Sequence, residues 1–306
     1  MAGRIYGRSP VSMPDNQSDK PHKKKTSVIV SVIVGCLLAG SGTFGFFAWQ
    51  TNRQTEDIIR TWDEVRDIAS VSEPVIVSDE SVVVTVEAVE SSEVGLPMTD
   101  IEAYSDDPID RKIDWDALLA INPDIACWLY IPGTDIDYPV MQEKVLGEYY
   151  YLDHDIYGGE LKSGSLLIPK EPDDYEDKDM HLLIFGHNML NGTMFSSLRR
   201  YMQADFYTEY PYVYLYYPDR AERWQVWSVY HTKDTDSIYD IPYEANTKAY
   251  SDLLADIKAK QYYATNVDMV KPSEHILTLS TCDNFDGTHT GRFVVNAAAD
   301  ACKNYE

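Results

Sequence analysis

The 306-residue chain is short of cysteine, short of positive charge and free of internal repeats. Its four cysteines (Cys36, Cys127, Cys282 and Cys302) form no CxxC pair and no dense cluster, which argues against a zinc ribbon and a disulfide scaffold. Lys and Arg total 26 against 50 Asp and Glu, a net charge of -24, so no nucleic-acid partner is expected. No period of 20 to 50 residues is visible, which argues against a solenoid. Tyrosine is plentiful, with 23 residues, and with the many Val and Ile it leans the folded part towards β structure.

Charge is missing altogether from Thr26 to Trp49, "TSVIVSVIVGCLLAGSGTFGFFAW". As a helix this run would measure about 36 Å, against about 30 Å of hydrocarbon in a bilayer. Residues 1–25 are basic and end in Lys23-Lys24-Lys25. The expectation is a cytoplasmic tail (1–25), a transmembrane signal anchor (26–49) in contact with lipid, and everything after it outside the cell. A buried core helix is the alternative, but it rarely lacks charge over so many turns.

Residues 50–110 read as a juxtamembrane helix and an acidic stalk. Ile58, Trp62, Val65 and Ala69 recur at helical spacing, a face suited to packing or self-association. From Val71 to Asp110 there are eleven acidic residues and no Lys or Arg, the composition of an extended or disordered linker.

The folded domain is expected over 111–306. A short helix is predicted around Trp115, Leu118 and Leu119, ended by Asn122-Pro123. Eight strand-like runs follow: 126–131, 136–141, 165–169, 182–185, 212–217, 223–231, 276–281 and 292–297. Turn signals separate them, and one amphipathic helix (Tyr250, Leu253, Leu254, Ile257) lies between the sixth and seventh. Many short strands with few, peripheral helices make a mostly β fold, a closed barrel or sandwich.

Three polar residues sit where such a fold exposes them. Cys282 ends the apolar run "HILTLSTC". A lone cysteine there has two readings, a small buried apolar residue or a reachable nucleophile. His187 follows the strand in "HLLIFGHN", held by rigid backbone yet free to exchange protons. Arg292 opens "RFVVNAA", where a guanidinium either joins an ordinary salt bridge to Asp283 or Asp286 or stabilises a developing oxyanion.

"TLSTC" with Arg ten residues on and "FGHN" some ninety residues upstream resembles the sortase family of cysteine transpeptidases. The likeness extends through "NPDIACWLYIPGTDIDYPVMQ" and "NGTMFSSLRRYMQADFY", covering Ile113 to Ala298, and the placement of the helices looks like class B sortases. The resemblance implies an eight-stranded β-barrel with His187, Cys282 and Arg292 as catalytic residues, tethered in a Gram-positive membrane. The implied reaction cleaves a C-terminal sorting signal after Thr through a Cys thioester. The protein is then passed to an amine of a peptidoglycan precursor or, in a pilus-polymerising relative, to a pilin lysine. Ser280 and Asp283 match substrate-contacting positions, and Thr281 and Phe185 (Tyr is usual at the latter) stand beside them as further substrate-site candidates. Thiol acyl transfer requires neither metal nor cofactor. A rival of another class is a catalytically silent, membrane-tethered binding barrel, which the intact Cys/His/Arg set opposes.

The sequence also departs from the pattern. After "YPVMQ" it reads "EKVLGEYYYLDHD", longer than usual and without the Asn that contacts substrate in relatives. Cys127 stands where glycine is common and reads as a packed residue, a disulfide to Cys302 being the lesser alternative. "LPMT" (Leu96 to Thr99) in the stalk matches the start of a sorting signal and is expected to be coincidence, with a tethered pseudo-substrate as the alternative.

Overall fold

The computed structural model describes residues 50–70, 107–143, 145–147, 149–169, 179–283 and 287–305. The expected tail at 1–25 and anchor at 26–49 with Cys36, the expected stalk over 71–106 with its "LPMT" stretch, and Asp286 lie outside them. No helix among the described residues is long and apolar enough to cross a membrane.

From Glu56 onward the chain forms one compact unit. Residues 50–69 are helical (α1), and from Glu56 the helix belongs to that unit. The stripe Ile58, Trp62, Val65 and Ala69 is buried in the same cluster as the barrel interior, and the Trp62 and Tyr138 rings meet edge to face with centroids 5.5 Å apart. Burial of a large apolar side chain stabilises by about 2 kcal/mol, enough to hold a helix of this length in place. The apolar face therefore packs on its own chain and is not left for self-association, and the folded body reaches further towards the N-terminus than residue 111.

The eight expected strands are present: β1 (Ile125–Tyr130), β2 (Asp137–Met141), β3 (Leu166–Leu167), β4 (His181–Phe185), β5 (Tyr212–Tyr216), β6 (Arg220–Lys233), β7 (Ile276–Cys282) and β8 (Gly291–Asn304). They close into a barrel in the order β1-β2-β3-β4-β7-β8-β6-β5. β2–β3 and β4–β7 are parallel and the other pairs antiparallel. Closure gives every strand a hydrogen-bonded neighbour on both sides, although β6 beyond Gln225 and β8 beyond Ala298 run past one of theirs.

β6 and β8 run to 14 residues each, well past their apolar centres. Their far ends are polar, and cross-strand pairs such as Arg223 Nε with Asp300 Oδ2 at 2.6 Å accompany the continued ladder. Apolar patterning could not reveal that extension. The expected helices appear as α2 (Trp115–Ile121) and α4 (Lys248–Lys260), the latter capped by Thr247, whose side chain accepts from the Tyr250 amide. A short helix α3 (Ala204–Glu209) and the 3-10 helix Phe195–Met202 before it were not expected. Phe195, Leu198 and Tyr201 are buried at a spacing of three, the period of a 3-10 helix, which an α-helical template passes over.

Strand alternation gives the sheet two apolar faces. Leu277 and Leu279 of β7 face the barrel interior, whereas Ile276 joins a second cluster with Tyr250, Leu253, Leu254 and Ile257 of α4. The positions alternating with the interior ones (Thr278, Ser280, Cys282) share the outer face, and this parity governs where the thiol emerges.

Candidate active site

Cys282 is the last residue of β7, and the β7–β8 register pairs it directly with Arg292 of β8. Residues directly opposite on antiparallel strands present side chains to the same face about 5 Å apart. The ten-residue spacing is thus the span of one hairpin that brings thiol and guanidinium together.

His187 reaches the same place from β4, which pairs in parallel with β7 through Phe185 and Ser280. The Gly186 amide donates to the Ser280 carbonyl at 3.2 Å, and Thr281 Oγ1 donates to the Gly186 carbonyl at 2.8 Å. A Cβ on Gly186 would lie 2.4 Å from Leu166 Cδ2 and 2.7 Å from the Phe195 ring, so this close approach requires glycine. Asn188 Nδ2 then donates to the Cys282 carbonyl at 3.0 Å, tying the histidine loop to the cysteine.

The His187 ring nitrogen Nε2 is 2.8 Å from the Leu152 carbonyl oxygen. A carbonyl only accepts, so Nε2 carries a proton and Nδ1 is the nitrogen available for proton exchange. Arg292 is held from behind: Nη1 donates to the carbonyls of His289 (3.1 Å) and Gly291 (2.9 Å), and Nη2 lies 3.5 Å from Asp234 Oδ2. Ordinary salt bridging therefore runs to Asp234, not to Asp283.

Cys282, His187, Arg292 and Asp234 open on one cavity of about 280 Å³. Its walls are aromatic and aliphatic. Phe185 lies between Tyr149 (ring centroids 6.2 Å, edge to face) and Tyr239 (5.9 Å, stacked), with Leu152, Leu183 and Ile241 alongside. The Tyr239 hydroxyl is 2.8 Å from Ser280 Oγ, and burial pushes its pKa above the ordinary tyrosine value. It acts as a neutral hydrogen-bonding group in an apolar wall.

Of the four substrate-site candidates, Phe185, Ser280 and Thr281 line the cavity. Ser280 and Thr281 are almost wholly buried and their hydroxyls are engaged by Tyr239 and the Gly186 carbonyl, so they shape the wall. Asp283 points elsewhere. It is 5 % exposed, its amide donates to the Gly291 carbonyl at 2.9 Å, and its Oδ2 meets His231 Nε2 at 2.9 Å and Arg199 Nε at 3.3 Å. His231 in turn contacts the Tyr262 hydroxyl through Nδ1, and its amide donates to that oxygen at 3.1 Å. Asp283 thus braces the strand end that bears the thiol.

Sequence reasoning passed over Tyr149, Tyr239, Asp234, His231 and Arg199. Tyr239 and Asp234 carry a weak signal, a polar-aromatic loop between the sixth strand and α4. His231 and Arg199 carry none, because their partner lies 52 and 84 residues away and only the barrel joins them. Cys127 and Cys302 are free thiols, Cys127 fully buried with its pKa raised by that burial.

A strand-end thiol with a histidine and a fixed guanidinium, on one apolar-walled cavity, is an arrangement able to support cysteine acyl transfer. The sortase domain family matches residues 129–300, and the chain belongs to that family of cysteine transpeptidases, in its class B. It is 34% identical to sortase B of Listeria monocytogenes over 181 residues, 58% of this chain and 70% of that protein. It is 28% identical to sortase B of Staphylococcus aureus over 183 residues, 60% of this chain and 73% of that one. Among solved structures, Clostridium perfringens sortase B superposes with a TM-score of 0.55 at 29% identity, covering 61% of this chain and 99% of that one. A Staphylococcus aureus sortase B–substrate complex gives a TM-score of 0.53 at 28% identity, covering 60% and 83%.

Proposed function

We propose that this transpeptidase, anchored by residues 26–49 with its barrel outside the cell, cleaves a C-terminal sorting signal after Thr and joins the protein to an amine of the cell wall. The observation that carries the reading is the register pair Cys282–Arg292 with His187 tied to the cysteine carbonyl through Asn188. The uncharged run behind three lysines supports the anchor.

The Cys282 thiolate attacks the threonine carbonyl carbon, and Arg292 stabilises the oxyanion. As the C–N bond breaks, imidazolium His187 gives its proton to the departing amine, leaving a thioester and a neutral imidazole. The acceptor, having lost one proton to solvent, attacks as a free amine. His187 takes a second proton, the C–S bond breaks, and Cys282 leaves as thiolate. The cycle returns to its starting charges.

A panel of fluorogenic pentapeptides of the NPxT(G/N), SPxTG and LPxTG types, with mass spectrometry for the acyl-enzyme, tests this. One panel member should be cleaved after Thr with a thioester on Cys282, and Cys282→Ala should be inert. A Cys282→Ala protein that still cleaves would overturn the reading. Linkage to a pilin lysine in place of a wall-precursor amine would overturn the acceptor.

A further inference from the structure

Resting on the transpeptidase reading above, the geometry points to Asp234 as the site that receives the acceptor's ammonium group. Asp234 is the single carboxylate among the described residues lining the Cys282 cavity, facing a groove whose other ionisable lining groups include His187 and Arg292. Its position is set by backbone. It follows the last residue of β6, and its amide donates to the Thr290 carbonyl at 2.9 Å, on the turn that leads into β8.

Its side chain is little used. The one side-chain partner among the described residues is Arg292 Nη2 at 3.5 Å, the outer limit of a hydrogen bond, and the side chain is 37% exposed. An ionised carboxylate offers about four acceptor positions. Arg292 does not depend on this contact, since two backbone carbonyls already hold its Nη1 at 2.9 and 3.1 Å.

The neighbouring acid makes the contrast. Asp236, two residues on, accepts from Thr232 Oγ1, from Lys260 Nζ at 2.6 Å and from the Ile238 amide at 3.0 Å, and is 7% exposed. Lys260 and these hydrogen bonds hold its pKa below the ordinary value despite burial. One acid of the "KDTD" turn is saturated and structural, and the other is open towards the thiol's groove.

The proposed reaction has a use for such a group. A lysine side chain or a peptide N-terminus reaches the enzyme mostly as an ammonium at neutral pH, since their ordinary pKa values are about 10.4 and about 8. It must enter a groove where a guanidinium faces the acyl oxygen, and that cation repels it. Asp234 supplies a counter-charge next to Arg292. The ammonium docks there, loses one proton to solvent and attacks the thioester. It passes its second proton to His187 as Cys282 departs.

The test compares products from one acyl-enzyme, so neither acylation rate nor folded fraction enters. Full-length protein and Asp234→Asn are given the cleaved pentapeptide with triglycine or Nα-acetyl-lysine amide, both cationic, or with hydroxylamine, largely uncharged at neutral pH. The ratio of amine-linked to hydrolysed product is read for each. Asp234→Asn should lower the ratio about fivefold for both cationic acceptors, the scale of a partly exposed ion pair, and leave it unchanged for hydroxylamine. Asp234→Glu should recover part of the loss. An unchanged ratio with the cationic acceptors, or an equal fall with hydroxylamine, overturns the assignment, the latter because Asp234 would then act through Arg292. Absence of any acyl-enzyme in the unaltered protein would instead overturn the transpeptidase reading on which this rests.

Discussion

The carboxylate of Asp283 lies 2.9 Å from His231 Nε2, one residue past the cysteine that ends β7. Arg199 from the 3-10 helix approaches the same oxygen at 3.3 Å. Two separate elements, β6 and the 3-10 helix, therefore converge on the carboxylate after the thiol, while Asn188 holds the Cys282 carbonyl from a third. The strand end is braced on its buried side and open on its groove side.

Asp283→Ala should consequently lower kcat for peptide cleavage by up to about a hundredfold with little change in KM, because a small displacement of a nucleophile is costly. Asp283→Asn, which keeps an oxygen facing His231 and Arg199, should stay within a few-fold. Equal losses in both variants, measured by steady-state kinetics, would contradict a bracing role.

Replacing Arg292 by Lys keeps a charge but removes the planar fork whose Nη1 donates to two carbonyls and whose Nη2 lies beside Asp234, and with it the donor that the proposed mechanism turns to the oxyanion. The expected fall in kcat is about 100-fold or more, the usual consequence of losing one oxyanion donor. Single-turnover acylation rates would check it.

Trp62 is 1 % exposed and packs edge to face on Tyr138 of β2. Trp62→Ala should cost about 3–5 kcal/mol, read as a drop in the urea midpoint of the whole barrel transition. A separate, earlier transition for α1 alone would show that the helix is only loosely attached.

His181 is fully buried, donates through Nε2 to Thr278 Oγ1 at 2.7 Å, and burial lowers its pKa from 6.5 to about 3. The Thr278 hydroxyl is itself donated to Asn296 Oδ1, which requires a proton on Nε2, and the buried Nδ1 has no hydrogen-bond partner for a second proton among the described residues. The folded pKa is depressed, so between pH 6.5 and 3 the unfolded chain binds the extra proton. Stability should fall as pH falls across that window, by about 1.4 kcal/mol per pH unit for this group at most. His181→Gln, which preserves the donor to Thr278, should remove about one proton's worth of that slope in urea titrations.

The eight strands, α2 and α4 were legible because each carries its own period of apolar residues, and a period is a local property. The ends of β6 and β8 were not, since polar residues such as Arg223 and Asp300 hold them by pairing across the sheet. The 3-10 helix Phe195–Met202 hid behind a period of three. The motif places Asp283 at a substrate-contacting position, but its side chain meets His231, which no motif names.

Residue types and their order along the chain already name the groups that could do the chemistry. A cysteine at the end of an apolar run, a histidine past another and an arginine opening a third are composition and order, and these survive translation into any sheet. Tertiary structure decided everything that depends on register and closure. The β7–β8 ladder sets Arg292 directly opposite Cys282, and the parallel β4–β7 pairing brings in His187 from ninety-five residues away. Folding also separates two aspartates of one turn, Asp234 open to the groove and Asp236 saturated. The physical reason is that hydrogen-bond register fixes which side chains share a face, and register is settled by all the strands of a closed barrel together.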